Sequence, residues 1–241
     1  MPDPTPTPTP APPPDPKPKR AAPGDVPQQT LADTKLAEDV AAAAHDADHK
    51  DKLAEEQLPA TAATDLETLA GAARGLAGET VTAKKAKLTA TQAEQKAHKP
   101  LMDALRDIQQ RAKGKFPTGD PKRAAYCINK PNFGDDRKVF EQDAENIINL
   151  GAADALRALT SEKIAAARAA LEIWKKADQA QHKAEEDQGK LLGQLDAKVA
   201  DMNAKRREIQ LTADTAWPHT DSANAPYRRA FKLPVNQPIA K

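Results

Sequence analysis

Leu66, Leu69, Ala73 and Leu76 are spaced by three, four and three residues, and Leu101, Leu105, Ile108 and Ala112 by four, three and four. That spacing places each set on one face of an α-helix. Nothing between residues 61 and 115 alternates as a half-buried strand would. Pro117 stops this segment, and Pro100 within it predicts a kink or a join between two helices. Further along, Ile164, Ala167, Leu171 and Trp174 occupy heptad positions, and Leu192, Leu195, Val199, Met202, Ile209 and Ala213 continue in the same phase. Between them those positions hold Asp178, Gln181, Glu185 and Gln188, so the seam is apolar at both ends and polar in the middle. Residues 161–216 read either as one helix of about 84 Å or as a hairpin turning near Gln188 and Gly189. The unbroken heptad phase favours the single helix.

Shorter elements flank these two. The stretch from Thr30 to Pro59 reads as one helix or two short ones, with Thr30 and Asp33 at capping-box spacing. Asp120-Pro121 has the form of an N-cap followed by proline in the first turn. Asn132-Phe133-Gly134-Asp135 predicts a turn, followed by a helix burying Val139, Phe140, Ile147 and Ile148. Gly151 is placed to end that helix, Ala152–Leu159 to add another turn or two, and Thr160 or Ser161 to cap the next.

The chain also repeats itself. Arg106, Ile108, Gln109, Ala112, Pro117, Asp120, Ala124 and Tyr126 recur 101 residues later as Arg207, Ile209, Gln210, Ala213, Pro218, Asp221, Ala225 and Tyr227. The starts of the two long segments match better at an offset of 98, with Leu66, Leu69, Ala73 and Leu76 falling on Ile164, Ala167, Leu171 and Trp174. The expected fold is therefore all-α and internally duplicated. Two long helices run antiparallel, as a coiled coil or four-helix bundle, with short helices at the ends. Residues 30–133 form the first repeat and 134–241 the second, packed as one domain, since a single repeat could not bury its own stripe. Residues 1–29 carry twelve of the 21 prolines. They read as a disordered, extended arm, either a tether or a ligand for an aromatic groove.

Composition narrows the function classes. Aromatic residues make up 3% of the chain, so the core must be thin and built from Ala and Leu. Charge is high at 29% but balanced to a net +1, without the basic excess of a nucleic-acid binder. The lone Cys127 excludes an intrachain disulfide framework and fits a small buried apolar residue. No run is long and apolar enough for a membrane span, and no signal-type segment is visible, which makes the cytoplasm the default expectation. His45 and His49 lie four apart, but a metal site needs further ligands, and the pair reads as a solvated helix face. No cofactor, metal or small-molecule substrate motif stands out, and no catalytic constellation does.

Six of the eight aromatics gather in the two segments that follow the long helices: Phe116, Tyr126 and Phe133 in one, Trp217, Tyr227 and Phe231 in the other. They either plug the ends of the helical core or form related docking patches for a partner. The strings "RAAYCINKPNF" and "REIQLTADTAWPHTDSANAPYRRAFKLP" resemble those of uncharacterised Ala-rich helical proteins of environmental bacteria, over roughly residues 90–241. That resemblance implies no activity or site. The expected role is a non-enzymatic structural, spacer or adaptor subunit with protein partners, one of which could be a second copy. The alternative is a peptide- or surface-binding module using the aromatic elbows, and an enzyme is the distant third.

Overall fold

The structure is a computed structural model that describes residues 26–128, 133 and 136–239. The described residues are all-helical and contain no strand: α1 (Val26–His45), α2 (Ala47–Glu55), α3 (Ala62–Lys115), α4 (Pro121–Ala125), α5 (Arg137–Ala153), α6 (Ser161–Ala216), a 3-10 turn (Ser222–Asn224) and α7 (Ala225–Ala230). No helix among them is long and apolar enough to cross a membrane. The part of the arm before Val26 lies outside the described residues.

α3 and α6 lie against each other along their whole length. Side-chain pairs fix their direction. Asp107 meets Lys163 at 3.4 Å, Glu94 accepts from Trp174 Nε1 at 3.1 Å, and Lys87 meets Glu185 at 3.0 Å. One number falls as the other rises, so the helices are antiparallel. At 54 and 56 residues and 1.5 Å per residue, each is about 80 Å long.

The core follows the heptad pattern. One buried cluster joins α3 from Ala97 to Phe116 with α5 and with Ile164–Trp174 of α6. A second, at the far end, joins Ala62–Ala73 of α3 with α1, α2 and Met202–Trp217. Between the clusters the polar seam positions are used for ion pairs. Arg137, at the start of α5, meets Asp178 at 2.5 Å and donates to Gln181 Oε1 at 2.7 Å. Val81 and Leu88, on this middle stretch of α3, are exposed. Each end thus has three or more helices and the waist has two.

Several local expectations are corrected. Helix α1 begins at Val26, four residues before Thr30. Thr30 is buried inside α1 and does not cap it. The segment to Pro59 is two helices, because the Asp46 carboxylate accepts from Asp48 N and starts α2 afresh. α3 passes through Pro100 unbroken. That residue is exposed, so the carbonyl it cannot bond faces water, which lowers the cost of a proline in the helix interior. α6 is one helix through Gly189, as the unbroken heptad phase favours. Val139 is 41% exposed. Asp136 caps α5 at both Lys138 N and Val139 N, which sets Val139 in the first turn, at the rim of the core.

Gly151 does not end α5, which continues to Ala153. Its role is close approach. A Cβ there would lie 3.0 Å from Ile108 Cγ2 and 3.3 Å from both Ile164 Cδ1 and Leu159 Cδ2. Ile108 is itself fully packed, so it has little room to give. Gly151→Ala is therefore expected to destabilise by about 1 kcal/mol, overpacking outweighing the better helix propensity of Ala. A urea midpoint unchanged or raised would show that the α3–α5–α6 contact yields. Beyond Ala153 the chain is not helical but a turn, with Ala155 (φ 42°) and Ala158 (φ 57°) left-handed.

Candidate functional site

The aromatic segments close the two ends of the long helix pair by the same backbone construction. α3 ends where Phe116 N donates to Ala112 O, and α6 where Trp217 N donates to Ala213 O. A proline follows each. Asp120 accepts from Lys122 N at 2.8 Å, and Asp221 from Ala223 N at 2.9 Å. A short helix then ends in a left-handed residue, Cys127 (φ 53°) or Lys232 (φ 57°). Both endings are Schellman motifs: Ile128 N donates to Arg123 O and Cys127 N to Ala124 O, as Leu233 N does to Arg228 O and Lys232 N to Arg229 O. A glutamine of the long helix pins each cap. Gln109 Nε2 donates to Tyr126 O at 2.9 Å and Cys127 O at 3.2 Å, and Gln210 Nε2 to Phe231 O at 2.9 Å.

These bonds correct the sequence register. Tyr126 corresponds to Phe231, not to Tyr227. Residues 222–225, the 3-10 turn and the alanine after it, add four residues to the second elbow, so Pro121-Lys122-Arg123-Ala124-Ala125-Tyr126 matches Pro226-Tyr227-Arg228-Arg229-Ala230-Phe231. A shared Pro-x-Arg-x-Ala-aromatic string was present in the sequence at an offset of 105 and would have identified the correspondence.

Of the six aromatics singled out, five are buried: Phe116, Tyr126, Phe133, Trp217 and Phe231. Tyr227 remains 38% exposed. At the second end Trp217 is stacked between Tyr227 and Phe231, each centroid 5.4 Å away. At the first end Phe116 stacks on Tyr126 at 6.0 Å, and Lys122, in the place of Tyr227, lies over the Phe116 ring at 5.2 Å. Phe133 joins neither group. It meets Phe140 edge-on at 5.6 Å, and Phe140 in turn meets Trp174 at 4.8 Å.

The histidine pair is divided by the break at Asp46. His45 approaches Glu67 at 3.5 Å. His49 is buried, not solvated, with its Nδ1 2.7 Å from Ala43 O and its ring against Trp217, Tyr227 and Phe231. No group of three or more His, Cys, Asp or Glu placed to hold a metal occurs among the described residues. Cys127 is buried.

Two polar knots support the ends. At the first, Tyr126 Oη donates to Asp154 Oδ2 at 3.1 Å, and Lys122 pairs with the same carboxylate. Burial, then that bond, pushes the Tyr126 phenol above its ordinary range. The Lys122 hydrogen bond, then Tyr126, holds Asp154 below the usual carboxylate range. Tyr126→Phe keeps the ring and loses one hydrogen bond, which should cost about 1 kcal/mol. Chemical denaturation of the variant checks this, and a loss above about 3 kcal/mol would mean the hydroxyl organises the whole knot.

At the second end the guanidinium of Arg228 is wholly buried. It pairs with Asp214 at 2.6 Å and donates to Trp217 O at 2.6 Å, Pro234 O at 2.8 Å and Gln237 O at 2.9 Å. It binds the C-terminal strap, residues 232–239, to the end of α6. An arginine among "PYRRAF" gave no sequence signal of burial, and its counterpart Arg123 is only half-buried.

No family model matches the chain, and neither a curated protein nor a solved structure does.

Proposed function

We propose that the chain is a non-enzymatic structural subunit, a rod that spaces or joins parts of a larger assembly. The observation that carries this reading is the antiparallel pair of helices of 54 and 56 residues with a closed, interlocked cap at each end. Length costs this chain heavily. The waist exposes apolar residues and contributes little core, so a compact fold of the same composition would bury more. A role that uses end-to-end distance accounts for that.

The rod reads as an internal duplication in a bundle-like arrangement. α1, α2, α3 and the first elbow form one unit, and α5, α6 and the second elbow form the other. Each end combines the leading helices of one unit with the elbow of its mate. The shared Schellman caps, cap-pinning glutamines and Pro-x-Arg-x-Ala-aromatic strings support that reading. So does the left-handed Gln57 (φ 63°), 98 residues before Ala155.

A second reading has one observation in its favour. Tyr227 is the one member of the six that is exposed, and it is stacked on Trp217, as a docking anchor would be. Affinity purification of the intact chain from its native cells, beside Tyr227→Ala and a form lacking residues 1–25, separates the readings. The rod reading expects a stoichiometric partner that persists with Tyr227→Ala. Loss of that partner with Tyr227→Ala moves the role to the second end. A chain recovered alone, or with a tightly held cofactor and turnover, overturns both.

A further inference from the structure

The two ends differ sharply in one place. Beside the first elbow, where the turn 154–160 passes the end of α3, a cleft of about 570 Å³ is lined by Arg111, Gly114, Lys115, Ala155, Arg157 and Ala158. Three of these six residues are cationic and none is acidic. We propose that this cleft binds a small phosphate-bearing ligand.

The cations are arranged rather than scattered. Asp107 holds the Arg111 guanidinium through two contacts, Nε at 3.0 Å and Nη2 at 2.9 Å, while Arg111 Nη1 donates to Arg157 O at 2.8 Å. That leaves Arg111 fixed in orientation with N–H groups to spare. Lys115 donates to Asp154 O and lies over the Phe116 ring at 5.6 Å. The side chain of Arg157 makes no hydrogen bond or ion pair among the described residues and is exposed. Of the two nearby carboxylates, Asp107 pairs with Arg111 of the cleft and with Lys163, and Asp154 with Lys122 and Tyr126. Neither lines the cleft.

The opposite end acts as an internal control. By the register that its hydrogen bonds establish, Arg111 corresponds to Thr212, Lys115 to Ala216 and Arg157 to Pro59. The same construction therefore closes there with no cation at any of the three positions. Ala158, at φ 57°, corresponds to Ala60, which is not left-handed. A left-handed alanine is disfavoured by about 1 kcal/mol or more. Closure of a helix end needs neither the three charges nor that backbone state.

The ligand class follows from the donors. The open guanidinium fork of Arg157 can meet two oxygens of a phosphate at once, and the spare N–H groups of Arg111 and the Lys115 ammonium add donors on either side, a set that suits a dianion better than a carboxylate. Gly114 has nothing within 4 Å of where its Cβ would be, which leaves the cleft floor open. The rod would hold such a ligand without transforming it.

The test is titration of the full chain with inorganic phosphate, and separately with acetate at matched ionic strength, followed by backbone amide chemical shifts. Phosphate should saturate shifts confined to residues 111–115 and 155–158, and acetate should not. Arg157→Ala, whose side chain supports nothing in the fold, should keep the melting temperature and weaken phosphate binding by about tenfold, the loss of a charge-assisted hydrogen bond. Lys84→Ala, on the exposed waist, should leave binding unchanged. Unsaturable shifts spread over the basic surface would overturn the proposal. So would an equal response to acetate, or binding undiminished in Arg157→Ala.

Discussion

Trp217→Ala is expected to destabilise the protein by about 3–5 kcal/mol, the usual cost of removing a buried large aromatic and a large share of a domain's total stability. The indole is 2% exposed. It is stacked between Tyr227 and Phe231, met edge-on by His49 at 5.4 Å, and covered by Lys52 at 5.7 Å. Its own carbonyl accepts from buried Arg228. Truncation would leave four partners facing a cavity, in an end whose other core residues are mostly alanine and cannot expand to fill it.

Matching elbows would suggest an equal loss for Phe116→Ala. The structure points to a smaller one. Phe116 has one aromatic neighbour, Tyr126, and its outer face is covered by the flexible ends of Lys115 and Lys122, which can settle into the space. Thermal melts of both variants check the order. Equal shifts would restore the symmetric expectation. A Trp217→Ala protein as stable as the parent would show that this end does not depend on its aromatic stack.

What was legible in the sequence divides along a physical line. The long helices were readable because Leu66, Leu105, Leu171, Met202 and the residues between them repeat a spacing that only one helical face satisfies. The polar centre was readable for the same reason, and Asp178 and Gln181 are bonded there as a buried polar seam requires. The elbows were read in outline but out of register. An offset of 101 holds as far as Asp221. Beyond it the extra residues 222–225 shift the frame by four, and the chance recurrence of tyrosine at 126 and 227 masks the shift. His49 reads as solvated in the sequence, one turn from His45 with Asp46 and Asp48 close by. Its burial depends on Trp217 and Phe231, far away in sequence, which no local pattern encodes. Ile147, 98 residues further on in α5, is wholly buried.

Arg228 extends that point and carries the other large effect. Its guanidinium has no exposed surface, and its partners come from two places: Trp217 and Asp214 at the end of α6, and Pro234 and Gln237 on the strap. Asp214 also accepts from Ile239 N at 3.3 Å, so the pair ties the strap down at both ends. Taking away one partner of a buried ion pair leaves the other charge without compensation and typically costs about 3–5 kcal/mol. Arg228→Ala should reach that range, and protease should then cut within residues 232–239 before the helices unfold. Arg228→Lys should recover little, since one ammonium cannot span donors arranged as a planar fork. Arg123 supplies the comparison on the same backbone frame. It is partly exposed, donating to Thr118 Oγ1 at 2.9 Å and to Lys113 O at 3.5 Å, and Arg123→Ala should cost about 1 kcal/mol or less. Unfolding free energies of the two alanine variants that differ by less than about 0.5 kcal/mol would mean that the strap is held by its apolar contacts, Leu233 and Ile239 against the second cluster, and that the buried arginine adds nothing to its hold.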